Sequence, residues 1–471
     1  MSDFSDIQAR EQGLNPRLTS RQMGMIALGG AIGTGLFLGS KFAIGLAGPS
    51  VILSYIIGGF IAFLLMGCLA EMTITHSTSG SFGAYAEYYI GPLMGYLVRY
   101  LYWSCVVLAV GTEVTAIGEY MGFWFPHVPS WIWVVIFAGA LIFVNALNVK
   151  TFGTLEYWFS SIKVFAILAF IVVGIFVIFD DQEPGAGFHN LFEGAGFFAN
   201  GFTGMWFAVI VSIFSYLGIE MIAVAAGEAK DPDQAVRKAF KATVLRLIIF
   251  YVLTITLIVA IVPTAQLLAG GSPFVTVMEF VGIPYAGSVL NFIVIVAALS
   301  AMNSQLYIST RMMFSLSRAG DAPRFLGRVR KNGAPVNALL ASTAGIAVAT
   351  VVSILIPDQA VVTMIAISLF GAMFTWMVVF ITHWFFRRRL TAEGKRLSFR
   401  MPGFPVGTLL GAFLMFATMV TTIFTEEFRM TLIVGVPTLL LVVLMYFVTG
   451  RHKGTGPRPS PGPAGAASQK A

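Results

Sequence analysis

The sequence predicts an all-α integral membrane protein with twelve membrane-spanning helices. Three observations carry that prediction. Hydrophobic residues make up 57% of the 471 residues and charged residues 11%, against about 25% charged in soluble domains. So few charges do not cover a soluble surface. The apolar residues fall in stretches of bilayer-spanning length, and at ~20 residues per helix plus connections the chain holds about twelve. The basic residues lie almost entirely between those stretches.

Taken in order, spans are expected at 22–42, 49–70, 94–123, 131–149, 157–179, 204–226, 241–263, 286–310, 336–356, 361–386, 405–425 and 431–449. An even number puts both termini on one side. Arg10, Arg17 and Arg21 precede the first span, and Lys150 follows the fourth. Further clusters on that side are Lys230 to Lys241, Arg311 to Lys331, Arg387 to Arg400, and Arg451 to Lys470. The opposite side keeps Lys41 and Arg429 among Asp180, Asp181, Glu183, Glu279, Asp358, Glu426 and Glu427. The positive-inside rule then places both termini in the cytoplasm of a multi-pass plasma membrane protein. The net charge of +7 reflects this topology. It makes anionic lipid at the cytoplasmic face the natural partner and is no sign of nucleic-acid binding.

Residues 1–20 read as a cytoplasmic tail with no apolar signal region, 21–450 as the membrane domain, and 451–471 as a second tail. The tails are expected to be disordered, the second for its Gly, Pro, Ser and Ala content. Cys68 and Cys105 sit in apolar runs without metal-ligand spacing and read as packing residues. The connection from Glu71 to Pro92 starts polar and turns aromatic at Tyr85, Tyr88 and Tyr89. It suggests an interfacial helix with tyrosines at headgroup level.

Two spans contain breaks. Gly29-Gly30-Ala31-Ile32-Gly33-Thr34-Gly35 lies in the first, where each glycine costs a helix about 1 kcal/mol relative to Ala. Unwound backbone cannot face lipid. Phe214-Ser215-Tyr216-Leu217-Gly218-Ile219-Glu220 interrupts the sixth, and an intramembrane carboxylate such as Glu220 normally faces a cavity or a partner. Breaks at matching places five spans apart point to an inverted-repeat secondary transporter. Repeat one would be about 22–179, repeat two about 204–386, and 405–449 two added helices. Free N–H groups around Ile32, Gly33, Thr34 and Gly35 can hold a carboxylate, and carbonyls at Phe214, Ser215 and Leu217 an ammonium group. A zwitterion matches both. The alternative is that these glycines serve tight helix packing.

These stretches also carry a resemblance. Gly29 to Ser40, Ser79-Gly-Ser-Phe-Gly-Ala-Tyr-Ala86, Phe214 to Glu220 with Ala225 to Pro232, and Met302-Asn-Ser-Gln-Leu-Tyr through Ser315 to Pro323 resemble the bacterial amino acid transporter branch of the amino acid–polyamine–organocation superfamily. The likeness spans nearly all of residues 14–450. It implies the leucine-transporter-like 5+5 inverted repeat and proton-coupled amino acid uptake. Arg99 departs from the pattern, standing where a small residue is expected.

The remaining candidates are charged or polar residues inside spans. Lys163 is the basic residue set well within a span, and a lysine held there is a candidate proton carrier. The resemblance implies that a fifth-span lysine sits where sodium-coupled relatives bind Na⁺, against the unwound part of span one. The other reading is a lysine snorkelling to the headgroups. Glu220 orders the second break or relays protons, and Glu228 pairs with a loop cation or lies at the interface. Glu113 belongs to the wall of the substrate site or to a bond between helices. Phe214 resembles the family's aromatic gate. Asn303, Gln305 and Ser368 read as interhelical hydrogen-bonding groups or weak site candidates, and Glu119 and His127 as solvated.

No metal-binding, nucleotide-loop or nucleophile-elbow pattern is present. The chain is therefore read as no enzyme, without a cofactor, moving its substrate on an ion gradient or by exchange. The first reading is proton symport of neutral or small amino acids, γ-aminobutyrate included. An exchanger of the same fold is the second, and a membrane receptor or channel the third.

Overall fold

In lipid a spanning segment has to pair its own N–H and C=O groups, and the apolar stretches accordingly become helices. The computed structural model describes residues 4–10, 32–147, 149–179, 185–228, 231–330 and 335–451. Among the described residues every regular element is helical, and ten helical stretches are long and apolar enough to cross a bilayer.

The chain begins with α1 (Phe4–Arg10). After it come α2 (Thr34–Phe37), α3 (Gly39–Ala47) and α4 (Val51–Thr75). By length and composition, the expected spans one and two form a single stretch, Thr34–Thr75. Gly48, at φ 62, and Pro49 interrupt it. Residues 22–31, with Gly29, Gly30 and Ala31, lie outside the described residues.

α5 (Ser81–Tyr89) is followed by α6 (Pro92–Gly122), α7 (Ser130–Leu147) and α8 (Val149–Phe179). α7 is the expected fourth span, and its apolar part is short, Ser130–Asn145. The second half contains α9 (Gly201–Tyr216), α10 (Met221–Ala225) and α11 (Pro232–Arg246). α11 runs through a π-helical turn, Leu247–Leu253, into α12 (Thr254–Ile261). Two short helices, α13 (Thr264–Ala269) and α14 (Pro273–Phe280), lead to α15 (Ala286–Arg318). The last elements are α16 (Val336–Ala341), α17 (Ala344–Leu355), α18 (Ala360–Ala392), α19 (Val406–Thr421) and α20 (Met430–Val448).

α6 is the central pillar, packed against α15, α17 and α18, while α9 lies against α3 and α4. α8 packs on α15, α12 and α7. These contacts bring the two interrupted spans, α2–α3 and α9–α10, between α6, α8 and α15. The short outer helices close over the first of them. Lys41 donates to the Gly270 carbonyl at 2.6 Å, Ser272 to the Phe37 carbonyl at 2.6 Å, and the Phe37 and Phe274 rings lie 4.6 Å apart.

Three local expectations change. Part of the expected N-terminal tail is helical, because Phe4 and Ile7, three residues apart, form one apolar face and are buried. The Phe4 ring stacks on His76 at 4.2 Å, and Gln8 donates to the Ser77 carbonyl at 3.0 Å. The tyrosines of α5 turn inward: Tyr85 is buried and donates to the His76 carbonyl at 2.8 Å, and Tyr88 accepts from Arg389 at 2.9 Å. Arg99 is fully buried and paired with Glu87 at 2.7 Å. Gly83 makes room for it, since a Cβ there would meet Arg99 Cγ at 2.5 Å. Residues 452–471 of the second tail lie outside the described residues.

Candidate functional site

The first break is built around an extended Gly33 (φ −144, ψ −157) and the four-residue turn α2, with Leu38 separating it from α3. Extended backbone at Gly33 leaves the Ile32 carbonyl and the Thr34 N–H without helical partners. Both are answered by buried charged side chains from other helices. Lys163 of α8 donates to the Ile32 carbonyl at 2.9 Å. Glu113 of α6 accepts from the Thr34 N–H at 3.1 Å and from its hydroxyl at 2.6 Å. Gln305 of α15 reaches the other Glu113 oxygen at 3.5 Å, the edge of hydrogen-bond range.

This arrangement sharpens the sequence reading. A carboxylate does sit at the free N–H end of the first break, and it belongs to the protein. Gly33 and Gly35 are pressed by protein atoms as well. A Cβ on Gly33 would meet Ala301 Cβ and a Glu113 oxygen at 2.7 Å, and one on Gly35 would meet Ser215 Cα at 2.7 Å. Close backbone approach explains both glycines.

The second break is closed locally. Leu217 leaves the helix with ψ 136 and Gly218 takes φ 102, a conformation that favours glycine. Glu220 folds back on its own turn. One carboxylate oxygen accepts from the Gly218 N–H at 3.1 Å and the other from the Tyr102 hydroxyl at 2.8 Å. Just before the break, Ser215 donates to the Gly35 carbonyl at 2.6 Å and lies 2.9 Å from the Tyr55 hydroxyl. The two breaks therefore meet at Gly35 and Ser215. Phe214 is buried beside them, and Leu217 keeps partial exposure within the break.

The structure thus brings Ile32, Gly33, Thr34, Gly35, Glu113, Lys163, Phe214 and Ser215 into one neighbourhood, with Glu220 on the second break. Ser368 bonds only within its own helix, to the Ile365 carbonyl at 2.9 Å. Glu119 and His127 are exposed. The Glu228 side chain lies outside the described residues.

One residue was missed. Glu156 of α8, just outside the expected fifth span, is fully buried. It accepts from Ser160 at 3.0 Å, Ser300 at 2.7 Å and Asn303 at 3.1 Å. Lys163 lies seven residues farther along the same helix and is likewise fully buried. A helical reading finds it: Glu156, Ser160 and Lys163 stand at i, i+4 and i+7, on one face.

The sequence matches a known family. The profile of the amino acid permease family covers residues 22–453. The chain belongs to the amino acid permease family. Similar proteins include the uncharacterized amino acid permease YtnA of Bacillus subtilis, 39% identical over 95% of this chain and 97% of its own length. The probable threonine/serine transporter YbxG of B. subtilis is 37% identical over 93% of this chain and 96% of its own. The aromatic amino acid transport protein AroP of Escherichia coli is 36% identical over 93% and 96% respectively. The permease is thus a multi-pass membrane transporter and not an enzyme.

Proposed function

We propose that this permease imports neutral or small amino acids, γ-aminobutyrate among them, across the plasma membrane by proton symport, with both termini in the cytoplasm. The observation that carries the reading is the meeting of two interrupted helices at Gly35 and Ser215, with Lys163 and Glu113 bound to the backbone of the first. Paired breaks are the hallmark of inverted-repeat transporters. Twelve spans in a 5+5 arrangement plus two fit the same geometry. A straight helix over Thr34–Thr75 would be about 63 Å long at ~1.5 Å per residue, twice the ~30 Å hydrocarbon core. The interruption at Gly48 and Pro49 accordingly divides it into two crossings.

In this reading the substrate's carboxylate competes with Glu113 for the Thr34 N–H. Protonated Lys163 would take the place of a bound cation at the Ile32 carbonyl and so couple the proton to the unwound turn. Substrate entry and proton uptake then act on the same unwound turn. The substrate's ammonium group would lie toward the carbonyls at Phe214 to Leu217, and the Phe214 ring would close over it. The names of YbxG and AroP, with neutral substrates, support a neutral side chain.

The test is uptake of a panel of labelled amino acids into proteoliposomes, with and without an inward proton gradient. Saturable accumulation of neutral amino acids that requires the gradient supports the proposal. Accumulation that requires substrate inside and ignores the gradient makes the protein an exchanger, and uptake that never exceeds equilibrium makes it a channel.

A further inference from the structure

We propose that Glu156 is a positioning residue for coupling: a buried carboxylate, fixed by donors from two helices, that serves as counter-charge to Lys163 on the same face of α8. The functional part of this inference rests on the proton-symport reading; the pairing of the two residues does not.

Glu156 does not touch the first break, so it acts through another group. It lies seven residues before Lys163 on α8, about 10 Å along the axis at 1.5 Å per residue, and within ~20° of the same face. Helical side chains lean toward the N-terminus, so the Lys163 stem leans back toward the turn of Ser160, which lies between it and Glu156. Ser160 stands between them and donates to Glu156 Oε1 at 3.0 Å. Both charged residues are fully buried, and a buried carboxylate is tolerable only when hydrogen-bonded and compensated.

Three donors converge on this carboxylate. Ser160 and Ser300 meet Oε1, and the Asn303 amide meets Oε2 at 3.1 Å. The direction of the Asn303 amide is set from the other side. Its carbonyl oxygen accepts from Asn145 Nδ2 at 2.9 Å, and Asn145 also donates to the Leu141 carbonyl at 3.0 Å. With its oxygen so occupied, Asn303 presents its NH₂ to Glu156. Donors converging on both oxygens favour an anion.

The charges around this anion are few. α7 and α12, both packed on α8, carry no charged side chain, and the π-helical turn contributes Tyr251 as its titratable group. α15 meets Glu156 through Ser300 and Asn303, with Arg311 and Arg318 farther along that helix. Among the described residues Lys163 is therefore the cation on the Glu156 face of α8, with Glu113 the carboxylate at the other end of the same unwound turn. The roles divide. Glu113 touches the unwound turn, while Glu156 is held by donors from two helices and serves Lys163 as counter-charge.

The test has two arms. In proteoliposomes, E156Q should need about tenfold more protons for half-maximal uptake, a shift of about one pH unit to lower pH. E156D, which keeps the charge, should stay nearer the wild-type profile, and counterflow at saturating substrate should persist in E156Q. An unmoved pH profile in E156Q overturns the inference. Should E156Q fail to insert, Ser300→Ala, which removes one donor, should shift the profile in the same direction by a smaller amount; an unmoved profile there overturns it equally. The second arm measures thermal stability in detergent of E156Q, K163Q and the double variant. Paired charges predict that each single variant melts lower and that the double variant regains at least half of the summed loss. Additive losses overturn the pairing. This arm decides the pairing even if wild-type uptake ignores the proton gradient, a result that would instead sink the symport reading.

Discussion

The breaks in the first and sixth spans look alike in sequence and are built on opposite principles. The second is closed chiefly by its own residues: Gly218 supplies the φ of 102, and Glu220 accepts from the N–H two residues before it, with Tyr102 of α6 as an outside donor. The first is held from outside. Its free carbonyl goes to Lys163 of α8 and its free N–H to Glu113 of α6. A break closed by its own residues keeps its shape whatever its neighbours do. A break closed by charged groups on other helices responds when those groups gain or lose a proton, or when a ligand replaces one of them. On the proposed reading the first break is the responsive half of the site, and the second its fixed counterpart.

Substitutions that act on one break and spare the other test this contrast. Among the carboxylates the largest effect is expected from Glu113→Gln, which removes the charge facing Thr34. Uptake should fall about a hundredfold, or about 3 kcal/mol at 1.4 kcal/mol per decade, in an initial-rate assay with the variant still inserted. Glu220→Gln should cost uptake less than about tenfold, because an amide oxygen can still accept one of the two bonds to Tyr102 and Gly218. Equal losses in the two variants would erase the contrast. Gly218→Ala forces a side chain into the left-handed region and should lower stability by about 1–3 kcal/mol, read as a drop in melting temperature. Gly35→Ala should abolish uptake through the clash with Ser215, where a Cβ would lie 2.7 Å from Cα. The smallest effect belongs to Tyr102→Phe, which removes one hydrogen bond from Glu220 and should cost about 1 kcal/mol of stability.

Much of this architecture was legible in the sequence. Apolar length marked most of the spans because lipid permits so few alternatives. Both breaks were marked by glycine, and Lys163 by being the lone basic residue deep in a span. Three things were not legible. The partner of the Thr34 N–H is 79 residues away at Glu113, and nothing local to Thr34 names it. Glu156 sits just outside the expected edge of its span, and its three donors come partly from α15, a contact made only in the fold. α1 is too short to stand out by periodicity, and its burial depends on His76 and Tyr88, residues of a distant connection.

The account turns on Lys163 as the link between the proton gradient and the first break. The most direct measurement compares gradient-driven accumulation with counterflow in proteoliposomes containing Lys163→Gln. Loss of accumulation above equilibrium, with counterflow retained, is the predicted result. Accumulation at the wild-type level under the same gradient would contradict it.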